Sequence, residues 1–398
     1  MTGVHAAGAE SDRTRWLILA LLFACRTAMG FQFQTLGSVS ESLVAQLGFS
    51  YTEIGTLIGL FMLPGLVLSL PAGYLGRYLP DRTLVALGFA SLAVGGTIAA
   101  LAQGFGLLAL GRVAAGAGFV ISTIYLTKMV ADWFAGKKLA TAMSVLVMSW
   151  PFGIAMGQIA HVWVDAHFDW RVAFLVASVY CAAGALAVFL LYRPPAHARQ
   201  AQAAGPIGLP RQELVLTLLA AAAWGLFNGG YIVYLSFAPQ VLIAGGYEAT
   251  RAAAVVSIAS WVLILSGAVF GQLADRSGKP DRFLYAGTAV AVLVMLSLPQ
   301  ASLAVGLSLL FGLIGVAPAG IIMALTGEAM APERRAFGMG VFMTCYFVLQ
   351  TAAPPIAGWL FDRTGDPYGP IVFGACLFAG AALANWAFRR AQKVIAAR

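Results

Sequence analysis

Charged side chains are scarce in this sequence. They make up 10% of its 398 residues, against about 25% in an ordinary soluble domain, and that scarcity excludes a conventional soluble fold. Cysteine is also rare. Cys25, Cys181, Cys345 and Cys376 all fall inside apolar blocks without metal-ligand spacing. They read as small packing residues, not as a disulfide framework or a metal site. No Walker A loop is present, so direct ATP hydrolysis has no support. No His/Asp/Glu/Cys constellation gathers at one depth, so an enzyme is not expected, nor a metal or cofactor.

What the chain has is apolar length. It is 60% hydrophobic, and blocks of about 20 residues recur from end to end, enough to cross a hydrocarbon core of about 30 Å as helices. A membrane β-barrel would instead show alternating segments of about 10 residues. Twelve spans are expected, near 16–37, 52–74, 83–102, 105–127, 139–162, 171–192, 214–239, 250–272, 283–300, 303–327, 337–360 and 370–388. The first exceeds a signal-peptide core of about 7–15 residues and reads as a retained helix. Of the 24 lysines and arginines, Arg171, Arg251 and Arg363 fall on one side, and Arg26 and Arg112 within the membrane. The remainder lie on the side of the two termini. Basic residues are retained in the cytoplasm, so both termini are expected there, with the chain multi-pass in a bacterial inner membrane. The net charge of +8 then reflects topology and anionic lipid, not a nucleic-acid partner.

The polar stretch "RPPAHARQAQAAGPIGLPRQ", residues 193–212, reads as a cytoplasmic linker between a bundle of residues 1–192 and a bundle of residues 213–398. The halves repeat each other: "GFSYTE" (48–53) aligns with "GYEATR" (246–251), and "GKKLATAM" (136–143) with "ERRAFGMG" (333–340). "PAGYLGRYLPDR" (71–82) aligns with "VFGQLADRSGKPDR" (269–282). Parallel six-helix repeats suit a carrier whose halves rock about a midplane site.

On these residues the chain resembles the major facilitator superfamily. Gly271, Asp275, Arg276, Gly278, Lys279 and Arg282 match its loop motif. "GRVAAGAG" (111–118) matches its fourth-helix pattern, and "DWRVAFL" (169–175) the start of its sixth helix. The resemblance implies an all-α fold of twelve helices in two pseudo-symmetric bundles. It also implies a latch in which Gly271 permits close helix approach and Asp275 caps a neighbouring helix or pairs with arginine, flanked by Arg276 and Lys279. The first-half copy, with Gly73, Arg77, Asp81 and Arg82, departs from the pattern because Arg77 stands where the acid belongs.

Two membrane arginines carry the functional reading. Arg26 lies ten residues beyond Trp16, or about 15 Å along a helix, in the middle of the bilayer. A lone arginine there costs at least about 2.5–3.5 kcal/mol, so it faces a cavity or a partner. No acid sits at its depth, which makes it a candidate anion site. Pairing with backbone carbonyls or a gating role is the alternative. Gly30 and Gln34 share its helix face. Arg112 stands in a position where the superfamily often carries arginine, and a structural or gating role competes with ligand contact. In helix seven, Asn228, Tyr231 and Tyr234 offer polar groups. The pair Gly229–Gly230 would let the helix unwind or pack closely. Trp150, Gln158, Trp261, Tyr346 and Gln350 could line the same cavity or simply pack between helices. His161 reads as a packing histidine before a proton-sensitive gate, and Pro151, Pro354 and Pro355 are expected to kink their helices.

With the midplane arginine, helix seven resembles the cyanate and nitroimidazole porter branch. This implies a secondary carrier for a small anion working by alternating access, as a monomer, with a proton as a possible co-substrate. The alternative is a proton-coupled drug or neutral-solute exporter, which commonly needs a deep carboxylate that this sequence lacks.

Overall fold

The computed structural model describes residues 12–76, 78–134, 138–195 and 208–396. The first half comprises α1 (Asp12–Ser38), α2 (Ser40–Leu47), α3 (Tyr51–Leu60), α4 (Pro64–Leu75), α5 (Asp81–Ala100), α6 (Phe105–Trp133), α7 (Leu139–His167) and α8 (Trp170–Leu191). The second comprises α9 (Arg211–Ala244), α10 (Ala249–Ser277), α11 (Pro280–Ser297), α12 (Ala304–Leu310), α13 (Ala319–Ala329), α14 (Arg335–Thr364) and α15 (Tyr368–Ala396). α3 with α4, and α12 with α13, each make one crossing, so the chain crosses twelve times. Among the described residues, eleven helical segments are long and apolar enough to span a membrane. The expected ninth span forms α11, whose 18 residues include Asp281 and Arg282 in the first turn and are less apolar for it.

Local chemistry accounts for the breaks. Gly48 ends α2 at φ 69°, a left-handed conformation that costs glycine little. Ser50 then starts α3 with a capping box: its hydroxyl accepts from the Glu53 amide, while the Glu53 carboxylate accepts from the Ser50 amide at 2.9 Å. Pro64 and Pro318 lie where their helical crossings restart, positions that tolerate a missing N–H. A π-helical turn, Phe311–Gly315, precedes the second of them.

The fourth-helix motif is a packing motif. A Cβ on Gly111 would meet the Gly95 carbonyl oxygen at 2.5 Å, and one on Gly95 the Gly111 carbonyl at the same distance. Only glycine lets α5 and α6 touch backbone to backbone there. The halves meet in the same way. Gly55 and Gly59 of α3 lie against the carbonyls of Pro354 and Thr351 in α14, and Gly358 of α14 lies against the Tyr51 carbonyl. Pro355 lacks the N–H that would otherwise bond the Thr351 carbonyl, so that oxygen is left open at the contact with Gly59 of α3.

Three of the expectations concern these helices. Gly271 has nothing within 4 Å of its Cβ position in this conformation. α9 runs unbroken through Gly229–Gly230, because Gly230 packs on the Phe378 ring and the Gly374 carbonyl and needs no unwinding. α7 holds Pro151, and α14 holds Pro354 and Pro355, inside single helical segments.

Candidate functional site

α1 places Arg26 between α7 and the second half. Its Nη1 donates to the Leu146 carbonyl of α7 at 3.3 Å, so the carbonyl alternative is partly realised. Nε is buried without a partner, the side chain remains partly accessible, and Tyr346 of α14 lies within electrostatic reach. Among the described residues no carboxylate comes within 4 Å of it. The Tyr346 ring is 6.3 Å from that of Trp224 on α9, whose carbonyl accepts from Asn228 Nδ2 at 2.8 Å. Asn228 is partly accessible. Tyr346 therefore stands in electrostatic reach of Arg26 and beside the Trp224 ring, with Asn228 one helical turn further along α9.

The other expected residues distribute differently. Gly30 is buried against the Trp150 carbonyl and Gly153. Trp150 packs on Phe33 at 5.4 Å and on Phe119 at 5.0 Å. Tyr231 bonds Ser260 at 2.6 Å and Tyr234 bonds Ser308 at 2.9 Å, so both hydroxyls are engaged inside the second half. Gln350 is fully buried and donates to the Gly225 carbonyl. Trp261 meets Phe152 across the halves at 5.2 Å. His161 Nε2 sits 3.0 Å from the Phe31 carbonyl and 3.1 Å from Thr35 Oγ1, packed inside the first half. Arg112, 1% exposed, donates to the carbonyls of Leu57, Gln32 and Phe33 at 3.1, 3.5 and 3.4 Å and stacks over Phe61 at 4.6 Å. It ties α1, α3 and α6 together.

In the expected latch loops, Asp81 pairs with Lys128 at 2.5 Å, and Lys128 also with Asp132 at 3.0 Å. Arg276 and Lys279 are exposed. Gly73, Arg77 and Asp275 lie outside the residues whose side chains are described. In the second half Arg389 joins Asp281 and Glu328, a cluster that no local motif announces.

On the side away from the termini, here the far side, the halves are joined. Asp362 of α14 accepts from the Tyr51 and Thr52 amides at 2.8 and 2.7 Å, and from the Thr52 hydroxyl. Its charge thus sits on the N-terminus of α3, where a helix dipole favours an anion. Tyr51 stacks on Phe361 at 3.8 Å. Gln158 Nε2 donates to the Leu235 carbonyl at 3.2 Å. Gln240 and Ser40 are bonded at 3.0 Å, with the amide oxygen accepting once the group is turned so that its NH₂ meets the carbonyls of Ser236 and Phe237. Sequence reasoning missed this closure. Ser50 and Glu53 mark a helix start, but nothing local points to a carboxylate 310 positions away. Beside the contact lies a cavity of about 190 Å³ lined by Gln34, Ser38, Glu41, Gln158, Asp165 and Gln240, among others. Arg26 is not part of its wall.

Known proteins place this arrangement. A sequence profile described as Major Facilitator Superfamily matches residues 22–354. The chain is 22% identical to a gallate transporter of Pseudomonas putida, over 93% of this chain and 87% of the relative. It is 24% identical to a hexuronate transporter of Bacillus subtilis, over 86% and 87%, and 22% identical to a probable L-galactonate transporter of Escherichia coli, over 96% and 91%. Among solved structures, a bacterial homolog of the human lysosomal transporter Spinster, inward-facing and occupied, superimposes with a TM-score of 0.74 at 16% identity, covering 96% of this chain and 98% of the other. A nucleoside transporter superimposes with a TM-score of 0.72 at 14% identity, covering 95% and 99%. At those identities the likeness is one of fold. With a profile match over most of its length and two repeated six-helix halves, the chain belongs to the major facilitator superfamily, and it is a multi-pass membrane transporter, not an enzyme.

Proposed function

We propose that this chain is a secondary carrier for a small organic anion, with Arg26 as the group that receives the anion's carboxylate. One observation carries the reading. A guanidinium at mid-membrane depth has one bond to a backbone carbonyl, a buried Nε without an acceptor and, among the described residues, no carboxylate within 4 Å. Keeping such a cation near the bilayer centre is costly, and a bound carboxylate would offset that cost with charge-assisted bonds. Gallate, hexuronate and L-galactonate, named as cargo of the relatives, are all carboxylates. They favour an organic acid over cyanate or a nitroimidazole.

Asn228, Tyr346 and Trp150 complete the proposed binding surface, with Gln34 on the path toward the far side. The contacts of Asp362, Gln158 and Gln240 support a state closed on the far side. If the termini are cytoplasmic, as the basic residues argue, that state is outward-closed. Exchange between it and its opposite moves the cargo, with residues 1–192 and 213–398 as the rocking units and 193–212 as the linker. A monomer is sufficient for this mechanism, and a proton remains the proposed co-substrate.

The test is a thermal-unfolding screen of purified protein against gallate, glucuronate, galactonate and cyanate. A ligand of the folded state raises the midpoint by mass action. At least one of the three organic acids should do so for wild type and not for Arg26→Ala. A cyanate response alone, or equal responses in both proteins, would overturn the assignment.

A further inference from the structure

A second feature of the molecule lies on its outer wall, away from the transport path. Between α5 and α8 runs an apolar groove of about 540 Å³, lined by Thr83, Ala86, Ala90, Val94, Ala182 and Phe189 among others. Leu87, Val94, Leu186 and Phe189 are 54%, 56%, 60% and 47% exposed, which in a membrane-spanning chain means contact with lipid. The floor is small because alanines occupy both helices there, so the surface is concave where a helix pair would ordinarily bulge.

The groove has a polarity. At its terminal-side end stands Arg82, exposed, with its guanidinium 5.6 Å from the ring of Phe189, itself a groove residue. Among the described residues Arg82 has no carboxylate within 4 Å. Its neighbour Asp81 is taken by Lys128. The groove runs from Thr83 to Val94 along α5, about 16 Å at helical rise, close to half of a hydrocarbon core of about 30 Å. One end is therefore cationic and at headgroup level, and the other reaches the bilayer midplane.

We propose that this groove binds one anionic phospholipid of the terminal-side leaflet, with an acyl chain along the alanine floor and the headgroup phosphate on Arg82. Charge complementarity and length both select that occupant. Basic pockets between membrane helices hold anionic headgroups, and a single acyl chain has the groove's length. A zwitterionic lipid fits the apolar part but carries a compensating cation beside Arg82. The site does not depend on the transport reading, since it lies outside the region between the halves. It assigns to Arg82 a role apart from the latch in which the loop motif placed it.

Native mass spectrometry and thermal unfolding test the proposal on purified full-length protein. Phosphatidylglycerol should remain as a one-lipid adduct and raise the unfolding midpoint, while phosphatidylcholine at the same concentration does neither to the same extent. Arg82→Gln should abolish the preference for phosphatidylglycerol. Ala90→Phe, which fills the groove without touching the charge, should remove the adduct. Inorganic phosphate should not substitute for the lipid. Equal adducts with both lipids, a preference retained in Arg82→Gln, phosphate acting as well as lipid, or a lipid-free dimer that Ala90→Phe dissociates would each overturn the proposal. Both variants lie on the exposed face, and a monodisperse elution profile checks that they fold.

Discussion

Replacing Asp362 by alanine removes a carboxylate that holds the two halves together on the far side. It accepts two amides of the α3 N-terminus and one hydroxyl. Losing a cap of this kind costs about 0.5–2 kcal/mol. The site is open to water, which screens the charge, so we take about 1.4 kcal/mol, or roughly tenfold in an equilibrium constant. The bonds exist only while α3 and α14 touch, so the whole loss falls on the far-side-closed state. The ratio of open to closed molecules should rise roughly tenfold. Spin labels at Ala45 of α2 and Arg363 of α14, both exposed, report this by double electron–electron resonance in a background lacking the native cysteines. Asp362→Ala should move intensity from the short distance to a longer one, and Asp362→Glu should keep most of the short one. Identical distance distributions for wild type and Asp362→Ala would refute the idea that this carboxylate is a latch.

Gly358→Leu should open the far side further than Asp362→Ala, because even its Cβ would collide with the Tyr51 backbone; the same spin-label pair measures it. Arg112→Met should lower stability by on the order of 1–3 kcal/mol, given three long charge-assisted bonds to carbonyls. Thermal unfolding should show that fall, with a much smaller one for Arg26→Ala; the reverse order would contradict the structural role of Arg112. Glu41, in the short helix α2, has its carboxyl pushed above the ordinary range, first by burial and then by the charge of Asp165. The folded state therefore holds this proton more tightly than the unfolded chain. Glu41 contributes stability below its unfolded pKa and loses it as pH rises through the raised value. Glu41→Gln should flatten the unfolding midpoint against pH across that window, and an unchanged slope would sink the assignment.

Much of the fold could be read from the sequence because lipid imposes simple rules. Length and hydropathy marked the spans, and the polar stretch at 193–212 falls between α8 and α9. α11 fell below the hydropathy of the rest only because Asp281 and Arg282 lie inside its helix. What a single sequence could not supply was the identity of neighbours across space. Tyr231 and Tyr234 sit where the repeat suggested a cavity wall, but serines on α10 and α12 capture their hydroxyls. Gly230 was legible as special, yet only the Phe378 ring decides between packing and unwinding. Gly271 looked like a packing residue by motif and faces open space. Asp362 carries no local signal, because its partners, Tyr51 and Thr52, lie in the other half of the molecule. Arg26 was legible for the opposite reason: its cost at mid-membrane depth needs no knowledge of neighbours.

The most direct test of the transport reading is uptake of the responding organic acid, gallate, glucuronate or galactonate, into proteoliposomes holding wild type, Arg26→Ala or Arg26→Lys. A charge-assisted bond is worth about 1.5–3 kcal/mol, so Arg26→Ala should lose roughly 10- to 100-fold in kcat/KM, with Arg26→Lys between it and wild type. Wild-type rates and KM in Arg26→Ala vesicles would contradict the account.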